Sequence, residues 1–231
     1  MLVLWDIDGT LLSSEGSGAK GIEIAGRELF GAEFSLDGIE LGGRLDPLIL
    51  RDVFAMIGID DFEAHHATYR ARYHDILKEL LAGEHSVQAL PGAVELLDRL
   101  EEMPGVTQAL VTGNYQETAA LKLQAAGIDP DRFAFGVYGD EGAIRHELPP
   151  LALARYEATH GAAADHVVLL GDTEHDITSG QAAGCRVLAV CTGSHDKDRL
   201  LDAGADLVLD DLSEVDAVLS WLLASEQEPA E

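Results

Sequence analysis

The stretch Leu2-Val-Leu-Trp-Asp6-Ile-Asp8-Gly9-Thr10-Leu-Leu12 decides how the chain is read. Four apolar residues run unbroken into two aspartates, then Gly-Thr. An apolar run without polar alternation marks a strand covered on both faces, as in a parallel sheet. Residues two apart on a strand face the same way. Asp6 and Asp8 would therefore project together from the strand's C-terminal end, where open α/β sheets bind ligands. The alternative is an Asp8-Gly9 turn that merely closes the strand.

Outward from this stretch the pattern recurs. Residues 109–111, 167–170, 187–190 and 207–209 are further apolar strands, and 133–137 is a weaker one. Helical segments lie between them. Residues 91–103 open on Pro91, favourable at a first helical position. Residues 115–126 stop at Gly127. Residues 215–223 set Val215, Val218, Leu219, Leu222 and Leu223 on one face. This alternation predicts an α/β fold, a Rossmann-like parallel sheet with helices on both faces. From 16 to 86 the pattern is helical with no convincing strand, the longest segment being 62–81. The expected organisation is an α/β core domain of residues 1–15 and 87–231 with an inserted α-helical cap domain, 16–86. Linkers are expected near 13–18 and 83–90, and the polar tail 225–231 is expected to fray.

Composition narrows the function. Of 231 residues, 15 are Lys or Arg and 42 are Asp or Glu, a net charge of −27. Nucleic acid is excluded as a partner, because phosphate backbones are bound by basic side chains. Anionic membrane surfaces are disfavoured for the same reason. No apolar run approaches the roughly 18 residues of a membrane span. The opening MLVLWDIDGT lacks the basic n-region of a signal peptide. Cys185 and Cys191 fit neither a disulfide framework nor a CxxC metal site, and read as reduced thiols of a cytoplasmic protein. The acid excess reads either as general solubility or as adaptation to high salt.

Two further segments end apolar strands in polar chemistry. In Leu110-Val-Thr112-Gly113-Asn114 a hydroxyl precedes a helix, and hydroxyl plus backbone amides can cradle a phosphate; Thr or Asn could equally be an N-cap. In Leu169-Leu-Gly171-Asp172-Thr173-Glu174-His175-Asp176-Ile177, Asp172 sits at a strand tip and Asp176 in the first turn of the next helix. Clustered carboxylates suit Mg²⁺, a cation that takes oxygen ligands; Asp176 could also simply favour the helix dipole. Such converging acids need a divalent cation and a basic neighbour to stay ionised. Arg145 follows the weak strand and precedes the Pro149-Pro150 helix start. Arg132 reads as a surface loop residue and Arg155 as a solvated helix position.

The order DIDGTLL, helical insertion, LVTGN, basic residue, GDTEHDI resembles the haloacid dehalogenase-like phosphohydrolase superfamily in its helical-cap branch. Within it the chain looks most like phosphoglycolate-phosphatase-type members. The resemblance implies a sheet whose first and fourth core strands are adjacent. It implies a Mg²⁺-dependent phosphomonoesterase acting on a small organic phosphate, phosphoglycolate-like or a sugar phosphate, through an aspartyl-phosphate. Asp6 would be the nucleophile, and Asp8 the acid and then the base. Mg²⁺ would be held by the Asp6 carboxylate, the Asp8 backbone carbonyl and Asp172, with Asp176 directly or through water. Thr112, Gly113 and Asn114 would bind the phosphoryl group. The family's third motif is usually a lysine; here Arg145, or its neighbour His146, fills it. Leu12-Ser13-Ser14 departs from the aspartate many members carry there. The cap segment Gly42-Gly43-Arg44-Leu45-Asp46 resembles a substrate-contacting segment of phosphoglycolate-type caps, in which Arg44 would touch the substrate; otherwise Arg44 pairs with Asp46.

An acid at Asp8 argues against dehalogenation, since halide leaves unprotonated. The competing functions are a β-phosphoglucomutase-like phosphoryl transferase and a catalytically idle regulator that binds a phosphometabolite. The complete set of Asp6, Asp8, Thr112, Asp172 and Asp176 weighs against idleness. The expected partner is a small-molecule phosphate ester, and the expected state a monomer or homodimer.

Overall fold

The computed structural model describes residues 1–83 and 87–224. Its strands are β1 (Leu2–Trp5), β2 (Leu12–Ser13), β3 (Gln88–Ala89), β4 (Thr107–Val111), β5 (Gly136–Val137), β6 (Val167–Gly171), β7 (Arg186–Val190) and β8 (Leu207–Leu209). The helices are α1 (Ser17–Phe30), α2 (Asp46–Ile57), α3 (Phe62–Leu81), α4 (Ala93–Glu101), α5 (Gln116–Ala125), α6 (Leu148–His160), α7 (Glu174–Ala182), α8 (Lys197–Asp202) and α9 (Val215–Leu223). Six strands form one sheet in the order β5-β4-β1-β6-β7-β8, every neighbouring pair parallel.

β1 lies at the centre, with Leu2 paired to Thr107 of β4 on one side and Val167 of β6 on the other. The first and fourth strands of the sheet are thus adjacent, as the resemblance implied. Successive side chains of a strand point to opposite faces, and both faces of β1 are covered. Val3 and Trp5 pack with Leu96, Leu100, Leu123 and Val218, from α4, α5 and α9. Leu2 and Leu4 pack with Leu148, Ala152, Ile177 and Leu200, from α6, α7 and α8. Double-sided burial is the physical reason the strand sequence shows no polar alternation.

Helices α1, α2 and α3 lie between β2 and β3 and build a third apolar core, with Ile22, Phe34, Leu50, Phe54, Tyr69 and Tyr73. This helical cap joins the sheet domain through an antiparallel ribbon, Leu12 opposite Ala89 and Ser13 opposite Gln88. The segments expected as plain linkers therefore contain paired backbone. A two-residue strand carries no periodicity by which a sequence could announce it.

The weak strand expected over 133–137 shrinks to β5: Pro130–Arg132 form a 3-10 turn, Ala134 and Phe135 each share one backbone hydrogen bond with β4, and the ladder register is Gly136 and Val137. Helix α8 has six residues, too short for an amphipathic repeat. The tail expected to fray, 225–231, lies outside the described residues, as do 84–86 of the second linker. Among the described residues no helix is long and apolar enough to cross a membrane.

Candidate active site

The tips of β1, β4 and β6 open into a cavity of about 480 Å³ roofed by the cap. Asp6 follows β1 directly. The chain then turns back on itself, the amides of Leu11 and Leu12 donating to the Ile7 carbonyl and Gly9 adopting φ 80°. The turn reading of Asp8-Gly9 is therefore correct, and it coexists with the other one, because both Asp6 and Asp8 line the cavity.

Arg145 lies in a 3-10 turn just before α6, which starts over its two prolines. The side chain is buried. Its Nη2 donates to Asp6 Oδ1 at 2.9 Å and to the Val111 carbonyl at 3.3 Å, and also pairs with Asp176 Oδ1. Nε has no partner among the described residues, and Nη1 stands 3.3 Å from where a Cβ on Gly113 would sit. Neighbouring His146 is exposed. Arg132 instead binds Asp98 and Glu101, at 2.7 and 2.8 Å, and Arg155 binds Glu141 at 2.6 Å.

Asp176 does cap α7: Thr173 N and Oγ1 donate to its Oδ2 at 3.1 and 2.7 Å. Its other oxygen faces Arg145, so the helix-start role and the site role hold together. Asp172 is buried and lies against Gly193, where any Cβ would run into its carboxylate. Oxygens of Asp6, Asp172 and Asp176 lie within 4.8 Å of one another.

Burial pushes the Asp6 carboxyl up to about 7, with the charges of Asp176 and Asp8 adding to the rise and Arg145 opposing it. Burial, then Asp176, Asp6 and Asp8, drive Asp172 well above the usual carboxylate range. Three carboxylates thus share one guanidinium. The surplus negative charge and the all-oxygen donor set fit a hard divalent cation such as Mg²⁺.

Thr112 is fully buried and is not a helix cap, since α5 begins at Gln116 with Tyr115 at its N-cap. Its Oγ1 accepts from Asn114 Nδ2 at 2.8 Å. The same Nδ2 donates to Asp8 Oδ2 at 2.9 Å. Lys122 Nζ reaches both Asp8 Oδ2 and Asn114 Oδ1, each at 2.6 Å. Burial alone would raise Asp8, but the Lys122 ammonium and hydrogen bonds from Lys122, Asn114 and Ser14 outweigh it and hold the carboxyl below its usual range. Lys122 is the site residue that sequence reasoning missed. Its signal was its place on the buried face of α5 beside Thr118, Ala119 and Leu123, where an unpaired lysine is not tolerated.

The cap reaches the site through residues 41–46. The Asp46 amide donates to the Gly113 carbonyl at 2.8 Å, and Asp46 Oδ2 accepts from Tyr115 N at 3.2 Å. Burial between cap and core pushes Asp46 up to about 7, against the pull of Lys122. Arg44 lines the cavity but pairs with Asp52 at 2.5 Å, not with Asp46, whose carboxylate is turned to the core. On the far side, Arg70 of α3 binds Glu117 of α5, Nη2 to Oε2 at 2.7 Å, and also Asp140. His66 of α3 meets the Tyr115 hydroxyl at 3.0 Å.

Sheet, cap and acidic centre define a Rossmann-like α/β protein with an inserted helical cap over a carboxylate-lined site. The chain belongs to the haloacid dehalogenase-like hydrolases, whose family model matches residues 1–184. It is 29% identical over 228 residues to a phosphoglycolate phosphatase of Aliivibrio fischeri, covering 95% of this chain and 96% of that protein. In fold it is similar to a hydrolase from Pseudomonas syringae, with TM-score 0.71, 23% identity and coverage of 96% and 99% of the two chains. It is also similar to CbbY from Rhodobacter sphaeroides, solved in complex with phosphate, with TM-score 0.70, 20% identity and coverage of 93% and 95%.

Proposed function

We propose that this hydrolase is a Mg²⁺-dependent phosphomonoesterase acting on a small organic phosphate through an aspartyl-phosphate on Asp6. The observation that carries the reading is Arg145. Its Nη2 grips Asp6 and Asp176, while Nε has no partner among the described residues and Nη1 lies close to Gly113. Nucleophile, metal-fitted acids and an anion-binding fork meet there. Mg²⁺, held by the Asp6 carboxylate, the Asp8 backbone carbonyl and Asp172, with Asp176 directly or through water, would neutralise the phosphoryl oxygens.

An Asp6 oxygen attacks phosphorus, the P–O ester bond breaks, and Asp8 protonates the departing alkoxide. Asp8 then takes a proton from water, which attacks the phosphorus of the aspartyl-phosphate and releases phosphate and Asp6. Splitting one displacement into two in-line transfers leaves the protein chiefly positioning and charge compensation to supply. Thr112, the amides of Gly113 and Asn114, and Arg145 hold the transferred group. On this reading the described residues of 16–86 are the cap and those of 1–15 and 87–231 the core, with Arg44 facing the substrate's far end. The similarity to a phosphoglycolate phosphatase and a cavity of about 480 Å³ support a small substrate.

The test is a phosphate-release screen over phosphoglycolate, sugar phosphates, polyol phosphates and pyrophosphate, with Mg²⁺. Free phosphate from at least one small ester is expected. Isomerised sugar phosphate in its place would indicate a phosphoryl transferase, and no turnover of any member would overturn the reading.

A further inference from the structure

On the phosphatase reading, we propose that Lys122 is a positioning residue for Asp8: with Asn114 it pins one carboxylate oxygen and leaves the other to carry the proton. Lys122 projects from the core helix α5 and is 4% exposed. Its ammonium stands 2.6 Å from Asp8 Oδ2 and 2.6 Å from Asn114 Oδ1. Asn114 Nδ2 donates to that same Asp8 Oδ2 at 2.9 Å. Three side chains so close a ring on Oδ2. Among the described residues Asp8 Oδ1 takes only the Ser14 hydroxyl, at 3.2 Å. A carboxylate oxygen has about two lone-pair sites, so Oδ2 is filled and Oδ1 is the oxygen left to give or take a proton.

The ring suits a lysine. An ammonium has three donors and no acceptor, and two of them are used here. Space for it comes from the cap: Gly18, in the first turn of α1, has no Cβ, and one built there would lie 3.1 Å from Lys122 Nζ. The cap helix therefore passes directly over the ammonium and leaves the Lys122 side chain 5% exposed, while the Asp8 side chain stays 37% exposed on the cavity side; burying the cation strengthens its charged hydrogen bonds. Asn114 also donates to Thr112 Oγ1 at 2.8 Å. The proton carrier and the phosphoryl-binding hydroxyl are thus tied into one network, and their spacing is set by the core.

When the ester bond breaks, its electron pair leaves on oxygen and collects the proton from Asp8 Oδ1, while Lys122 keeps its own protons. The demand for that proton grows with the basicity of the leaving oxygen. A residue that orients Asp8 must therefore matter more for a poor leaving group than for a good one. A lysine that only stabilises the fold would matter equally for both.

The experiment compares kcat/KM of the full chain with Mg²⁺ on phenyl phosphate and on 2,4-dinitrophenyl phosphate. Lys122→Met, similar in length and uncharged, is expected to lose at least about thirtyfold more on the phenyl ester than on the dinitrophenyl ester. Asn114→Ser should steepen the dependence in the same direction, and it decides the matter if circular dichroism shows Lys122→Met unfolded. Equal losses on the two esters, or no loss, would overturn the positioning role alone. Failure of the unaltered protein on both esters would overturn the phosphatase reading, and the role of Lys122 with it.

Discussion

Arg145 Nη2 lies 2.9 Å from Asp6 Oδ1 and pairs also with Asp176, so one guanidinium joins the tip of β1 to the first turn of α7. That bridge brings the acids of two distant motifs to one point, and most of the chemistry expected of the site depends on it.

Removing the fork strips a buried charge pair, a change that typically costs about 2–5 kcal/mol. Arg145→Ala should lower kcat/KM for p-nitrophenyl phosphate at least about tenfold, and Arg145→Lys should recover part of the loss. Arg132→Ala and Arg155→Ala, whose partners are Asp98, Glu101 and Glu141, should change it less than about threefold. If Arg145→Ala behaves like those two, the third motif is misplaced.

The acidic cluster makes metal binding depend on pH. Asp6 is pushed up to about 7 and Asp172 is also raised, so in the metal-free protein both resist ionisation. Their raised values mean that stability falls as pH rises from the ordinary carboxylate range through about 7, because the unfolded chain gives up those protons more readily. Mg²⁺ displaces the same protons. Its addition should therefore raise Tm more at pH 8 than at pH 5.5, and EDTA should abolish turnover. Equal rates with EDTA and with excess Mg²⁺ would remove the metal from the account.

Asp46 tests the contact between cap and core. Its carboxyl, at about 7 against an ordinary 3.8, costs stability when ionised, increasingly so from about pH 4 and fully above pH 7. Asparagine keeps an acceptor for Tyr115 N and carries no charge. Asp46→Asn should leave Tm near the parent value at pH 4 and raise it at pH 8. A shift of the same size at both pH values would show that Asp46 is not held against ionisation.

The parts of the molecule legible in the sequence were those where local pattern and three-dimensional role coincide. β1, β4, β6 and β7 are sandwiched between helices, so their burial writes an unbroken apolar run. Asp6, Asp8, Thr112 and Asp172 sit at or just beyond strand tips, and a parallel sheet lines its strand tips up. Arg145 was placed by its position between β5 and the prolines of α6. Lys122 was hidden because its partner Asp8 is 114 residues away and only the packing of α5 brings the two together. The pairing of Arg44 with Asp52 rather than Asp46 depends on how α2 is turned: Asp46, at its first position, faces the core loop. The β2–β3 ribbon is two residues a side, below the length at which alternation can be seen.

In the proposed mechanism Asp6 is the nucleophile. The most direct measurement is phosphate release from p-nitrophenyl phosphate with saturating Mg²⁺ by the unaltered protein and by Asp6→Asn, with circular dichroism on both. A nucleophilic Asp6 requires a folded variant whose kcat falls by about three orders of magnitude or more, because an amide cannot form the phosphoryl intermediate. A folded Asp6→Asn that keeps more than about a tenth of the parent rate would contradict it and return Asp6 to the role of a residue closing a strand.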